Sequence, residues 1–223
     1  MLYAIPTPLG GTPAEALPSP AIERIKSLKD FVVENAKSAR AFLGLLGMPV
    51  RELNINVIEH ATDPLAPLRE KRSLGLLSEA GCPAIADPGA ALIEAAHRAG
   101  FRVVPLVGPS SIVLALMASG LEGQRFAFCG YLPREDAERK RKIRELEQRS
   151  KKEIETEIFI ETPYRNEVLL AALLESCKPE TSLCVAADLT LPGESIQTKT
   201  ISEWQRSRTT IGRRPAVFLL QAA

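Results

Sequence analysis

Three short stretches of this 223-residue chain concentrate the residues that let a backbone fold closely around a ligand: Pro6 to Gly11, Ser78 to Gly89 and Gly108 to Ser111. Glycine permits close approach of the main chain, and proline fixes the shape of the loop. Singly, each is an ordinary strand-to-helix turn. Together they suit the binding and orientation of a small molecule by backbone N–H and C=O groups. Other chemistries have no signature here. GxGxxG and GxxxxGK[ST] are both absent, which excludes the usual dinucleotide and triphosphate loops. So are GxSxG and HExxH. Cys82, Cys129, Cys177 and Cys184 lie far apart with no CxxC spacing, so neither a disulfide framework nor a metal site is expected. His60 and His97 are the only histidines, and His97 reads as a solvated residue of an alanine-rich helix.

A second feature is charge. The whole chain balances 28 Lys+Arg against 27 Asp+Glu, so overall charge does not draw it to nucleic acid, and a polyanion site has to be local. Arg134 to Lys152 carries nine basic residues against five acidic ones. Within it Arg139, Lys140, Arg141, Lys142 and Arg144 are nearly consecutive and encircle a helix. They are either a solvated surface or a phosphate-contacting flank. Arg206, Arg208, Arg213 and Arg214 form a second basic group. Interleaved aromatics that stack single-stranded bases are lacking.

The elements that must position these residues read as alternating strand and helix. Strands are predicted at Leu2 to Ile5, Phe31 to Val33, Ile55 to Ile58, Leu74 to Ser78 and Arg102 to Val107. Helices follow from the apolar spacing of Ile22, Ile25 and Leu28, and are predicted at Ala36 to Leu46, Pro88 to Ala99 and Ser110 to Ser119, with Gly47 as a stop. The segment Thr62 to Arg72 has room for only a short helix. This alternation predicts an α/β domain with a mostly parallel sheet over residues 1–120. Residues 121–223 are richer in strand, at Phe126 to Tyr131, Glu157 to Glu161, Ser182 to Asp188, Ser195 to Ile201 and Ala216 to Gln221. Two helices, Glu135 to Lys152 and Pro163 to Cys177, intervene, which predicts a mixed sheet. The boundary is expected near residues 119–125. The longest apolar run, Ile112 to Ala118, is far short of the roughly 20 residues of a membrane helix. The N-terminus lacks a basic n-region, so a cytoplasmic protein is expected.

LYAIPTPLGG at the start, SEAGCPAIADPGAALIEAAHRAG at 78–100, VVPLVGPSS at 103–111, ASGL at 118–121, GYLPRE at 130–135, FIETPYRNEVLL at 159–170 and VAADLT at 185–190 resemble, in collinear order, the tetrapyrrole methylase superfamily. Within it the chain is most similar to the bacterial 16S rRNA cytidine 2′-O-ribose methyltransferase branch. The resemblance implies a two-domain fold with an S-adenosylmethionine (SAM) cleft between the domains, a homodimer, and an RNA substrate on the small ribosomal subunit. Carried over by position, the SAM residues are Pro8, Ala80, Gly81, Cys82 and Ile85, then Ser110, Ser111 and Ile112. Thr162, Pro163, Ala187, Asp188, Leu189, Pro215 and Ala216 follow in the C-terminal half. Methyl transfer from a sulfonium requires alignment with a nucleophile more than a metal.

The chain also departs from that branch. Where the ribosomal enzymes read Glu-Asp-Thr-Arg, this chain has Glu34-Asn35-Ala36-Lys37, with Arg40 matching a later arginine. Their Ser-Asp-Ala-Gly is Ser78-Glu79-Ala80-Gly81 here. A ribose hydroxyl needs a base within hydrogen-bond reach. His60, Glu34, Arg40 and Glu79 are the candidates, with a structural Glu34–Arg40 ion pair as the alternative. Arg139, Lys140, Arg141 and Lys142 are the candidate RNA contacts. Two other functions remain open: a methyltransferase of the same fold acting on a tetrapyrrole-like small molecule, and a SAM- or RNA-binding protein without catalysis.

Overall fold

Apolar runs of four residues form the inner strands of the first sheet, and their alternation assigns each side chain to one of two cores. In the computed structural model, described for residues 1–207 and 209–223, the chain divides into two units, Met1–Ser110 and Ser111–Ala223. The first unit contains β1 (Leu2–Ile5), α1 (Pro13–Ala16), α2 (Ser19–Lys26), β2 (Asp30–Val33), α3 (Ala36–Leu45) and β3 (Asn54–Val57). A 3-10 turn at Ile58–His60 then leads to α4 (Ala66–Arg69), β4 (Leu74–Leu77), α5 (Ala90–Arg98) and β5 (Val103–Pro105). The five strands are parallel in the order β3-β2-β4-β1-β5. Tyr3, Ile5, Phe31, Val33 and Leu77 face one core with Ile25, Phe42 and Leu43 of α2 and α3. Leu2, Val32, Leu74 and Leu76 face the other, with Leu68, Leu92 and Ala96 of α4 and α5.

Two local choices keep this sheet in shape. Gly75 lies beneath Phe31 and Ile5, where a Cβ would sit 2.7 Å and 2.8 Å from their side-chain carbons. Asn35 caps α3 by accepting from the backbone N–H of Lys37 at 2.8 Å and of Ser38 at 3.4 Å. The amide that replaces the resembled branch's aspartate is therefore a helix cap. Gly47, at φ +76°, follows the last turn of α3, where the sequence predicts the stop.

The second unit begins one helix earlier than the sequence predicts. Its elements are α6 (Ser111–Ser119), β6 (Phe126–Tyr131), α7 (Asp136–Glu153) and β7 (Thr156–Glu161), followed by a 3-10 turn at Pro163–Arg165. Then come α8 (Asn166–Ser176), β8 (Ser182–Ala187), β9 (Ser195–Thr200), α9 (Ile201–Arg206) and β10 (Ala216–Gln221). The order is β6-β7-β10-β8-β9, with β6 and β7 parallel and the other pairs antiparallel. Ile143, Leu146, Leu169, Leu173 and Trp204 of α7, α8 and α9 cover one face around stacked Phe159 and Phe218. The helix α6 packs against β8, β9 and β10, and Thr198 Oγ1 donates to the Ser119 carbonyl at 2.6 Å. That packing places α6 with the second unit, and no local signal in its sequence records it. The strand predicted to reach Ile201 stops at Thr200, because Thr200 and Glu203 form a capping box that opens α9.

Candidate functional site

In a parallel sheet the loops after the strands open at one end, where ligands of such sheets bind. In the first unit those loops are joined to one another. Thr7 and Gly81 exchange backbone hydrogen bonds of 2.9 Å and 3.0 Å, which ties the loop after β1 to the loop after β4. Cys82 Sγ donates to the Pro109 carbonyl at 3.4 Å, which ties that loop to the one after β5. A Cβ on Gly108 would sit 2.5 Å from Pro6 Cβ, so the first and third loops also touch. The three glycine- and proline-rich stretches thus converge. Gly81 holds φ +77°, and Ala84 and Ala86, at φ +66° and +64°, flank the exposed Ile85. Left-handed backbone at non-glycine residues is strained, and strain of this kind collects at ligand sites. Pro8 is half-buried and Ala80 is exposed on this rim.

The polar candidates separate into two groups. Glu34 Oε2 accepts from the Glu79 backbone N–H at 3.1 Å, so these two meet at the ends of adjacent strands β2 and β4. Arg40 is exposed, and its Nη1 donates to the Ala36 carbonyl of its own helix at 3.4 Å. Among the described residues no ion pair joins it to Glu34, so the structural ion-pair alternative is corrected. His60 is exposed at the end of the edge strand β3, one strand beyond Glu34. Asp87, absent from the sequence-based candidates, completes an acidic group with Glu34 and Glu79. Its carboxyl is pushed up to about 6, first by burial and then by Glu34, with a hydrogen bond to Ser78 opposing and Glu79 adding to the rise. Only the adjacency of β2 and β4 reveals this, and sequence does not supply strand order.

Ser110 and Ser111 are half-buried, and Ile112 of α6 is buried. In the second unit the remaining predicted SAM residues meet at one end of its sheet. Ala216 pairs with Glu161 on one side and with Ala187 on the other, and the Asp188 N–H donates to the Pro215 carbonyl at 3.0 Å. Thr162 and Pro163 follow Glu161 directly; the Glu161 carboxylate accepts from the Thr162 N–H at 2.8 Å and pairs with Arg165 at 2.8 Å. Leu189 is buried behind the turn.

The basic helix α7 corrects one expectation outright. Arg139 is only 3% exposed, and its guanidinium donates to the Arg134 carbonyl at 2.7 Å and to Asp136 at 2.6 Å. It is a helix-start staple that presents no charge to a phosphate. Lys140 lies 2.8 Å from both Asp136 and Glu175, and these hydrogen bonds raise its pKa. Arg141 and Lys142 hold Glu145 loosely at 3.7 Å, and Arg144 is exposed. Consecutive residues point around a helix, so only part of the run faces water. In the second basic group Arg206 and Arg213 are exposed, Arg214 is tied into its own fold, and Arg208 lies outside the described residues.

The residues at these loops suit the chemistry of a SAM-type ligand. The exposed apolar Ile85 and the nearby carboxylates of Glu34, Glu79 and Asp87 are groups that an aromatic base joined to a polar, cationic tail would meet. The sequence profile described as Tetrapyrrole (Corrin/Porphyrin) Methylases matches residues 1–205. Ribosomal RNA small subunit methyltransferase I of Vibrio cholerae is 32% identical over 206 residues, 91% of this chain and 69% of that protein. The protein of the same name from Bacillus subtilis is 31% identical, over 91% of this chain and 68% of that one. In fold, the chain is similar to the crystal structure of the methyltransferase CobJ, with TM-score 0.67 and 18% identity over 100% of this chain and 94% of that one. It is also similar to uroporphyrin-III-C-methyltransferase from Thermus thermophilus, with TM-score 0.59 and 22% identity over 99% of this chain and 93% of that one. The chain belongs to the tetrapyrrole (corrin/porphyrin) methylase family and is a methyltransferase.

Proposed function

We propose that this protein transfers the methyl group of SAM to a ribose 2′-hydroxyl of 16S rRNA in the small ribosomal subunit, as a cytoplasmic homodimer. The observation that carries the reading is the convergence of the three loops after β1, β4 and β5 in a chain whose relatives at about 30% identity are named for rRNA methylation. When bound, SAM supplies an electrophilic methyl on a sulfonium, and the chain has to hold it in line with the hydroxyl. Pro8, Ala80, Gly81, Cys82 and Ile85, with Ser110, Ser111 and Ile112, are assigned to this task. Thr162, Pro163, Ala187, Asp188, Leu189, Pro215 and Ala216 are the second unit's share. Among the carboxylates, Asp87 at about 6 is poised to accept a proton near neutrality at its Oδ atoms, with Glu34 and Glu79 beside it. Arg141, Lys142 and Arg144 supply the exposed positive charge for RNA phosphates.

A small-molecule substrate is the second reading, and the burial of Arg139 together with the pairing of Lys140 favours it by thinning the basic surface. The test is ribose-methylation mapping of 16S rRNA after incubation with the protein and SAM. One new 2′-O-methyl position is expected. Calorimetric SAM binding with no RNA product would transfer support to the second reading.

A further inference from the structure

Two turns of the second unit are bridged by one guanidinium, that of Arg214. Asp188 and Thr190 stand at φ +53° and +68°, left-handed values that a β-branched threonine rarely adopts. Within this turn the Leu191 N–H donates to the Asp188 carbonyl at 2.9 Å, and the Thr190 N–H to Glu194 at 2.8 Å. These bonds close the turn, and the Asp188 N–H to Pro215 carbonyl bond and the pairing of Ala187 with Ala216 fix its first residue to β10. Arg214 adds a side-chain bridge that reaches the far end of the turn at Gly193. Its Nη1 donates to the Gly193 carbonyl at 3.2 Å and faces Asp188 Oδ2 at 3.5 Å, while its Nε donates to the Ile211 carbonyl at 2.7 Å.

The backbone carrying Arg214 is clamped in turn by the first turn of α8. Asn166 Nδ2 donates to the carbonyls of Gly212 at 3.1 Å and Arg214 at 2.7 Å. Glu167 Oε1 accepts from the N–H groups of Ile211 at 2.7 Å and Gly212 at 2.8 Å. Asn166 is fully buried, so this clamp is built into the core. A planar guanidinium with donors in a rigid fork suits such a bridge, and lysine cannot reproduce all of it.

We infer that Arg214 is a positioning residue for the cofactor: it locks the strained turn at Asp188–Thr190 to the start of β10, so that Ala187–Leu189 and Pro215–Ala216 keep one geometry. The inference rests on the reading that these two stretches contact SAM. An arginine that instead contacts RNA phosphate would point its charge to solvent, whereas this one is two-thirds covered and bonded on three sides.

The test uses the whole protein and its variants Arg214→Gln, Arg214→Lys and Ala216→Trp, with SAM binding followed by calorimetry well below the melting temperature. Loss of charge-assisted hydrogen bonds predicts a SAM dissociation constant raised about tenfold in Arg214→Gln. Arg214→Lys, which can still reach the Gly193 carbonyl, is expected to recover part of that loss. The salt dependence of binding to 16S rRNA should not change. Wild-type affinity in Arg214→Gln, with Ala216→Trp abolishing binding, overturns the inference alone. Unaltered binding in Ala216→Trp as well removes the second unit's assignment to SAM, and the inference with it. A slope of log RNA affinity against log salt reduced by about 0.7 to 0.9, with SAM binding intact, would make Arg214 a phosphate contact and also overturn the proposal. A lowered melting temperature with unchanged SAM affinity would show a purely structural arginine and would overturn it too.

Discussion

Thr7 and Gly81, 74 positions apart, exchange two backbone hydrogen bonds of 2.9 Å and 3.0 Å and so join the loops after β1 and β4 as one structure. Gly81 can do this because φ +77° costs glycine nothing, whereas a side chain there also meets Leu9 at 3.3 Å. Gly81→Val should therefore weaken SAM binding at least tenfold and lower stability by about 1–2 kcal/mol, the usual cost of a forced left-handed residue. Calorimetry and urea denaturation read the two effects separately, and unchanged SAM binding would remove this loop from the cofactor site.

The carboxyl group of Asp87 makes a pH prediction. Its pKa is raised to about 6, so the folded state holds the proton more tightly than the unfolded chain. The associated stability is present in full below the unfolded value near 3.8 and is lost as pH rises through about 6. Asp87→Asn should then be more stable than wild type at pH 8, by about 1 kcal/mol because the site is only half-buried and solvent screens the repulsion. At pH 3.5 the difference should vanish. Urea midpoints of both proteins at the two pH values check it, and a gap that widens toward acid would contradict the assignment.

Within the basic helix, exposure predicts opposite outcomes for neighbouring residues. Replacing Arg141, Lys142 and Arg144 by glutamine should flatten the salt dependence of RNA binding by about 0.7 to 0.9 in slope per lost contact, with little change in stability. Arg139→Gln should leave that slope unchanged and lower stability by about 1–3 kcal/mol, because it removes charged hydrogen bonds from a buried position. Filter binding at several salt concentrations separates the two. Equal slopes in the triple variant and wild type would make α7 a solvated helix only.

Two glycines should respond to alanine with opposite sign. At Gly75 the new methyl would lie 2.7 Å from Phe31 and 2.8 Å from Ile5, which costs about 1–3 kcal/mol as the core is forced apart. At Gly44, in the last turn of α3, nothing lies within 4 Å, so alanine should stabilise modestly, by about 0.5 kcal/mol, through helix propensity. Thermal or urea denaturation of the pair measures both.

Much of the architecture is legible in local pattern. Leu2–Ile5 and Leu74–Leu77 read as buried strands because each carries its apolar residues within one short window, and the loops after them read as ligand loops because glycine and proline act on their own backbone. The helix α3 is legible for the same reason, from its apolar spacing to the stop at Gly47. The collinear motifs likewise identify the family without any coordinates.

Interactions among near neighbours in the chain thus settle most of the strands and helices and the candidate loops, though they leave α1 and α9 unpredicted. Which strands lie side by side is settled by the folded state alone. The order β3-β2-β4-β1-β5 brings Asp87 near Glu34 and Glu79, and the pairing of Ala216 with both Glu161 and Ala187 gathers three separate stretches. Long-range packing also buries Arg139 while Arg141 faces water, and it seats α6 on the second sheet. The cause is range. Periodicity and propensity act over a few residues, whereas strand order, ion-pair partners and the burial of a charge are set by contacts between segments tens of residues apart.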